Sequence, residues 1–251
     1  MIRSYLKSRV HLDVVFQPRG TGQDRLESLS DGVFSLAIAL LVLSSSTPSN
    51  YNTLLDSLAN ILPFAVTITL IIRIWIQHVL YFYYYGFKDN VVLALNVFLL
   101  FLILIYVYPL KFLFVVFFQI LGTLLFENSA NMPYIMSQTL SGSDGTGLMI
   151  IFGIGGCLIY GIYALLYWHA YRSKQYLKLA AEECHFTLTH MYINIGKCAV
   201  PLFSVILSIF AVGGEYAFPL AGFCYLLLIP VTRLIFTSRK RSFKKLFKMV
   251  K

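Results

Sequence analysis

The sequence predicts an all-α membrane protein with six transmembrane helices, and three observations predict it. Of the 251 residues, 58% are hydrophobic and only 12% charged, about half the charged share of a soluble domain (roughly 25%). The apolar residues gather in long runs, each close to or beyond the roughly 20 helical residues that cross about 30 Å of hydrocarbon. The cations gather at the chain ends, with five of the twenty Lys and Arg in residues 1–25 and seven in 239–251. A basic tail can also bind nucleic acid, but a short Lys/Arg run beside an apolar span reads as an anchor facing anionic lipid, so no nucleic-acid partner is expected.

The first span runs from about Leu26 to Leu43 and ends in the turn-rich SSSTPSN. The second runs from about Leu54 to Tyr84, with Pro63 near its start and Arg73 as its only internal Lys or Arg. The third begins near Asn90 and passes Pro109. Continued to Phe126 as one helix it would be about 55 Å long, so residues 112–126 are expected to extend span three or to lie along the interface. The fourth covers Gly147 to Tyr171, the fifth about His190 to Val212, and the sixth Ala217 to Phe236. The segments after spans one, three and five lack Lys and Arg, whereas those after two, four and six carry Lys88, then Arg172, Lys174 and Lys178, then the basic tail. Such cations mark the cytoplasmic side, so both termini are expected in the cytoplasm. This divides the chain into a cytoplasmic segment (1–25), a six-helix membrane domain (26–237) and a basic cytoplasmic tail (238–251). The first segment is polar and contains Pro18, Gly20 and Gly22, unlike a cleaved signal peptide.

Signals for an enzyme are weak. The five histidines (His11, His78, His169, His185, His190) form no HExxH, and the four cysteines (Cys157, Cys184, Cys198, Cys224) show no CxxC spacing. Neither catalytic residues, a cofactor, a zinc site nor a disulfide framework is therefore expected. The run GIGGC at 153–157 lies inside a span, where glycine favours close helix packing over dinucleotide binding. The filter sequence TVGYG is absent, so any pore must select ions by other means.

The first span differs from the rest, because Arg25, Ser28, Ser30, Asp31 and Ser35 crowd its inner half. An Asp within a membrane helix marks a functional site or an internal ion pair. Ser28, Asp31 and Ser35, spaced i, i+3, i+7, share one face and are free to bond neighbouring helices. At about 1.5 Å per residue, Asp31, His78 and Asn96 all lie roughly 9 to 15 Å from the inner boundary and can meet. Such a network either fixes helix packing alone or takes part in gating. Trp75, one turn before His78, can equally be a packing residue at the inner interface. Another face carries Leu36, Ala39, Leu40, Leu43 and Thr47 as a continuous stripe. The helix is apolar all round, however, and periodicity alone favours lipid or core contact over a pore lining.

Arg25-x-x-x-Leu29-Ser30-Asp31 resembles the R-x-x-x-F-S-D signature of the lysosomal and prokaryotic potassium channels of the transmembrane-protein-175 type, with Leu29 where the signature has Phe. Trp75-x-x-His78 in span two, and Asn96 followed by an apolar run to Pro109 in span three, support the match. The resemblance covers roughly residues 25–110; spans four to six match only as hydrophobic helices. It implies the short bacterial or archaeal form: a homotetramer in the cytoplasmic (inner) membrane, surrounded by lipid, with a central pore lined by the first helix. Potassium ions would be the permeant species and the only metal. The resemblance puts the narrowest ring at Leu36, with further apolar layers at Leu40 and Leu43. The hydroxyl-bearing layer of many members falls on Ala39, and Thr47 continues the lining. Arg25, Ser30, Asp31, Trp75, His78 and Asn96 would form the motif network. A proton-coupled secondary transporter using Asp31 and His78 is the rival reading, although the inverted repeat and midplane helix breaks common in transporters are missing. A membrane scaffold whose buried polar groups only secure packing is the third.

Overall fold

A computed structural model of the chain describes residues 16–20, 22, 24–44, 49–59, 61–126, 144–212, 214 and 217–248. Among them, six helices are long and apolar enough to cross a membrane. The elements are α1 (Arg25–Leu43), α2 (Tyr51–Ala59), α3 (Ile61–Tyr85), α4 (Asn90–Phe126), α5 (Asp144–Arg172), α6 (Ala181–Ile209), α7 (Ala217–Phe223) and α8 (Leu228–Lys248).

Three boundaries differ from the sequence reading. The second apolar stretch is two helices, α2 and α3, with Pro63 in the first turn of α3, where its missing N–H costs no ladder bond. Residues 112–126, by contrast, take the first of their two expected arrangements and continue α4 as one helix, with Leu113 and Val116 buried. The fifth span begins at Ala181 rather than near His190, because Glu183 Oε2 accepts the Ala180 N–H at 3.0 Å and caps the first turn. The last helix is interrupted by a 3-10 turn at Cys224–Leu227. Pro230 offers no N–H to the Leu226 carbonyl, which breaks the α ladder at that point. From there α8 runs on through Lys248, so residues 238–248 extend the helix.

Helices α5 and α6 pack along most of their length, and the glycines at 153–157 set their separation. A side chain at Gly153 would collide with Val205 and approach the Pro201 carbonyl to 3.0 Å, and one at Gly155 would strike the Tyr106 ring of α4. The close packing expected of this run is therefore what the structure contains. Tyrosine hydroxyls tie the helices further, since a polar group in hydrocarbon must find a partner. Tyr81 donates to the Leu166 carbonyl (3.2 Å), Tyr163 to that of Ile74 (2.8 Å) and Tyr106 to that of Phe152 (2.7 Å).

At the basal end, where α1 begins, the segment 16–20 docks across α3, α6 and the turn that precedes α6. Phe16 is buried against Tyr84, Tyr85 and Phe186. The Arg19 and Gly20 N–H groups donate to the Tyr84 and Tyr83 carbonyls, both at 3.1 Å. The Arg19 guanidinium grips Glu183 with two bonds (2.7 and 3.1 Å) and donates through Nε to the Leu177 carbonyl at 2.7 Å. Two glycines permit the crossing. Gly86 has φ +54°, a side chain on it would lie 2.8 Å from the Arg19 carbonyl, and one on Gly20 would collide with the Phe82 carbonyl. At the same end Asp89 accepts the Val92 N–H (2.9 Å) and His169 Nε2–H (2.7 Å). Burial opposes ionisation of Asp89, but these two donors outweigh it and hold the carboxyl below its ordinary range.

Candidate functional site

Helix α1 starts from a well-anchored end. Asp24, at its N-cap, accepts the Arg25 N–H at 2.7 Å, and Lys88 pairs with Asp24 (2.8 Å) and with buried Glu27 (3.7 Å). The Lys88 ammonium and then the Arg25 N–H hold the Asp24 carboxyl below its usual value. Acidic groups at a helix N-terminus also oppose the positive end of its dipole.

One turn further in, the polar residues divide into two branches. In the first, Ser30 Oγ donates to the Leu26 carbonyl of its own helix (2.8 Å), so it must accept from Asn96 Nδ2 (3.0 Å). That turns the Asn96 carbonyl oxygen toward His78 Nε2 (2.7 Å) and makes Nε2 the protonated nitrogen. All three residues are sealed from solvent, Ser30 and Asn96 at 0% exposure and His78 at 2%, with the Phe34 and Phe82 rings flanking the imidazole. In the second branch, Trp75 Nε1–H donates to Asp31 Oδ1 at 2.8 Å. The first ties α1 to α3 and α4, the second to α3 again.

The structure thus brings together Ser30, Asp31, Trp75, His78 and Asn96. Arg25 stands exposed at the first turn and joins neither branch. Ser28 and Ser35 do not reach other helices: both hydroxyls bond back to carbonyls four residues earlier, those of Asp24 (3.0 Å) and Asp31 (2.9 Å), an alternative always open to helical serine. Asp31 and His78, which an exchange mechanism needs as a pair, are each bonded to another group.

The upper half of α1 lies differently. Phe34, Ala37 and Leu41 are buried, whereas Leu36 is 49% and Leu43 75% exposed, Ala39 is exposed, and Leu40 is partly buried at the edge of this stripe. Leu29, where the signature has Phe, is also exposed and points away from the network. Thr47 lies outside the described residues. The apical end of the helix is held from α4, where Lys111 Nζ donates to Ser44 Oγ (2.8 Å) and to the Leu41 carbonyl (3.3 Å). A cation there satisfies terminal carbonyls and opposes the negative end of the dipole.

The roles of Lys88 and Lys111 are absent from the sequence reading, although a signal was available: an isolated cation in or beside an apolar run must find an acceptor. The same signal marks Lys197 of α6, which reaches Gln77 Oε1 at 3.4 Å and lies over the Tyr160 ring, while Gln77 Nε2 donates to Asn194 Oδ1 at 2.7 Å.

Three comparisons bear on this geometry. Residues 25–109, which include Arg25, both polar branches and the exposed stripe, match the family model described as endosomal/lysosomal potassium channel TMEM175. A potassium channel of Marivirga tractuosa is 37% identical over 231 residues, spanning 92% of this chain and 93% of its own length. A crystal structure of an alanine variant of the potassium channel MtTMEM175, in complex with a nanobody–MBP fusion protein, superposes with a TM-score of 0.80 at 36% identity, over 92% of this chain and 99% of that one. The likeness therefore extends past the first three spans into helices that the motif left unmatched. With identity at this level over nearly the whole length and the same fold, the chain is an all-helical, multi-pass membrane protein of the TMEM175 potassium-channel family.

Proposed function

We propose that four copies of the chain surround a central pore lined by α1, through which this member of a potassium-channel family passes potassium ions, with Leu36 as the narrowest ring. The observation that carries this reading is the asymmetry of α1, anchored to α3 and α4 on one side and presenting Leu36, Ala39 and Leu43 unburied on the other. One six-helix unit with a single candidate pore helix encloses no aqueous path, whereas copies related by a closed rotation axis do. Four leucines meeting at the axis would leave no polar atom to replace the water around a cation, so the constriction closes by dewetting and opens when α1 turns or moves outward. Ala39 offers no hydroxyl; selectivity then rests on pore size, backbone carbonyls or hydration. The distribution of Lys and Arg puts the basal end and both termini in the cytoplasm, with the tetramer in a prokaryotic inner membrane. Ion conduction needs no catalytic residue or cofactor. Separate partners for Asp31 and His78 favour an anchoring role over proton exchange.

Purified protein in liposomes should show sustained, voltage-driven potassium flux without a coupled ion, and a tetrameric mass in detergent. Leu36→Ala should raise conductance and weaken discrimination against sodium. An obligate monomer, stoichiometric exchange, or flux indifferent to position 36 would overturn the reading.

A further inference from the structure

All four cysteines are free thiols, but they are not equivalent. Cys184 and Cys224 donate only to nearby carbonyls of their own segments, those of Leu179 and Leu220. Cys157 of α5 and Cys198 of α6 face each other across the tightest helix pair, with their sulfurs 2.9 Å apart, and Cys198 Sγ also lies 3.4 Å from the Cys157 carbonyl. That separation is below the roughly 3.5 to 4.0 Å at which non-bonded carbon atoms rest, and a small side-chain rotation from the about 2.05 Å of a disulfide. The backbones hold the pair in place. Gly153 and Gly156 let α6 approach, and a side chain at Gly156 would sit 3.4 Å from the Pro201 ring, one turn beyond Cys198. Both cysteines are partly exposed at the edge of the helix pair. Cys157 lies near the middle of α5, with about 20 Å of helical rise on either side, so reagents reach it through the hydrocarbon and not from water.

We infer that Cys157 and Cys198 form a thiol–disulfide site that is oxidised by hydroperoxides dissolved in the bilayer and that cross-links α5 to α6. One thiol attacks the peroxide oxygen, the O–O bond breaks, an alcohol leaves and a sulfenic acid remains. The second thiol then attacks the sulfenic sulfur, forming the S–S bond and releasing water. Two thiols are oxidised and one peroxide is reduced, giving one disulfide, one alcohol and one water. This inference needs the membrane location of the two helices and is independent of which helix lines the pore.

The test uses the full chain in liposomes with Cys184→Ser and Cys224→Ser, leaving only the pair. Cumene hydroperoxide should lower the intact mass by two hydrogen atoms, protect both thiols from alkylation after denaturation, and be reversed by dithiothreitol. Charged oxidised glutathione in the aqueous phase should react far more slowly. Adding Cys157→Ser or Cys198→Ser to that background should abolish the loss of two hydrogen atoms, because the attacking thiol alone stops at the sulfenic acid and the resolving thiol alone stays reduced. Thiols that stay alkylatable, addition of oxygen without loss of hydrogen, or cross-links between chains would overturn the assignment. Equal reaction with the aqueous oxidant would overturn the hydrocarbon route.

Discussion

The two halves of α1 are built on opposite rules. The basal half is polar and almost every polar atom in it is answered: Asp24 and Glu27 by Lys88, Ser30 by Asn96, Asp31 by Trp75. The apical half is apolar, its outward stripe is largely exposed among the described residues, and it is held at its last turn by Lys111. In hydrocarbon an unmade hydrogen bond is costly, whereas an exposed leucine is not. The basal half therefore fixes the position and rotation of the helix, and the apical half is free to meet an ion path or another subunit. On the proposed reading, function is divided along the helix, with anchoring below and gating above.

Breaking the anchor should have the largest effect. Asn96→Leu leaves the His78 N–H without an acceptor and the Ser30 oxygen without a donor, at a cost of about 1 to 3 kcal/mol for each buried group. The expected outcome is a lower unfolding temperature and dissociation of the assembly in detergent. A variant as stable as the parent would make the network incidental. Removing the apical tie should matter less. Lys111→Met keeps the stem but loses the cap, for which about 0.3 to 1 kcal/mol is typical, while Lys111→Arg should retain most of the stability in the same thermal assay. Acid should have the smallest effect. Because Asp89 and Asp24 titrate below their ordinary values in the folded chain, their contribution is fully present above the unfolded carboxylate value of about 3.9 and is lost as pH falls through the lowered folded values. Both contacts are near the surface and screened by salt. Asp89→Asn should therefore lower the unfolding temperature slightly and evenly above the carboxylate range, with the two curves converging in acid; a difference that persists or grows in acid would contradict this assignment.

Six membrane helices were legible because apolar length and loop charge are one-dimensional properties. The motif network was nearly so, since helical rise alone put Asp31, His78 and Asn96 at one depth. What rise could not show was the pairing, in which Trp75 takes Asp31 and leaves His78 to Asn96. The start of α6 was misplaced because its first turn, AEECH, is polar and reads as loop; only the Glu183 cap, in contact with Arg19, makes it helical. The docking of residues 16–20 was hidden for a related reason. Its bonds go to backbone carbonyls of residues far along the chain, and no side-chain pattern encodes them. The facing of Cys157 and Cys198 depends on helix rotation, to which spacing along the chain gives no access.

The central claim, that the exposed stripe of α1 borders water in the assembled channel, is tested most directly by reagent access along this helix. In a chain with all four native cysteines replaced by serine, Leu36→Cys and Ala37→Cys place a thiol on the exposed stripe and on the fully buried face. A charged, water-soluble methanethiosulfonate should modify position 36 in open channels and block potassium flux, while leaving position 37 untouched. If position 36 is inert while a face of another helix reacts and blocks, α1 does not line the pore.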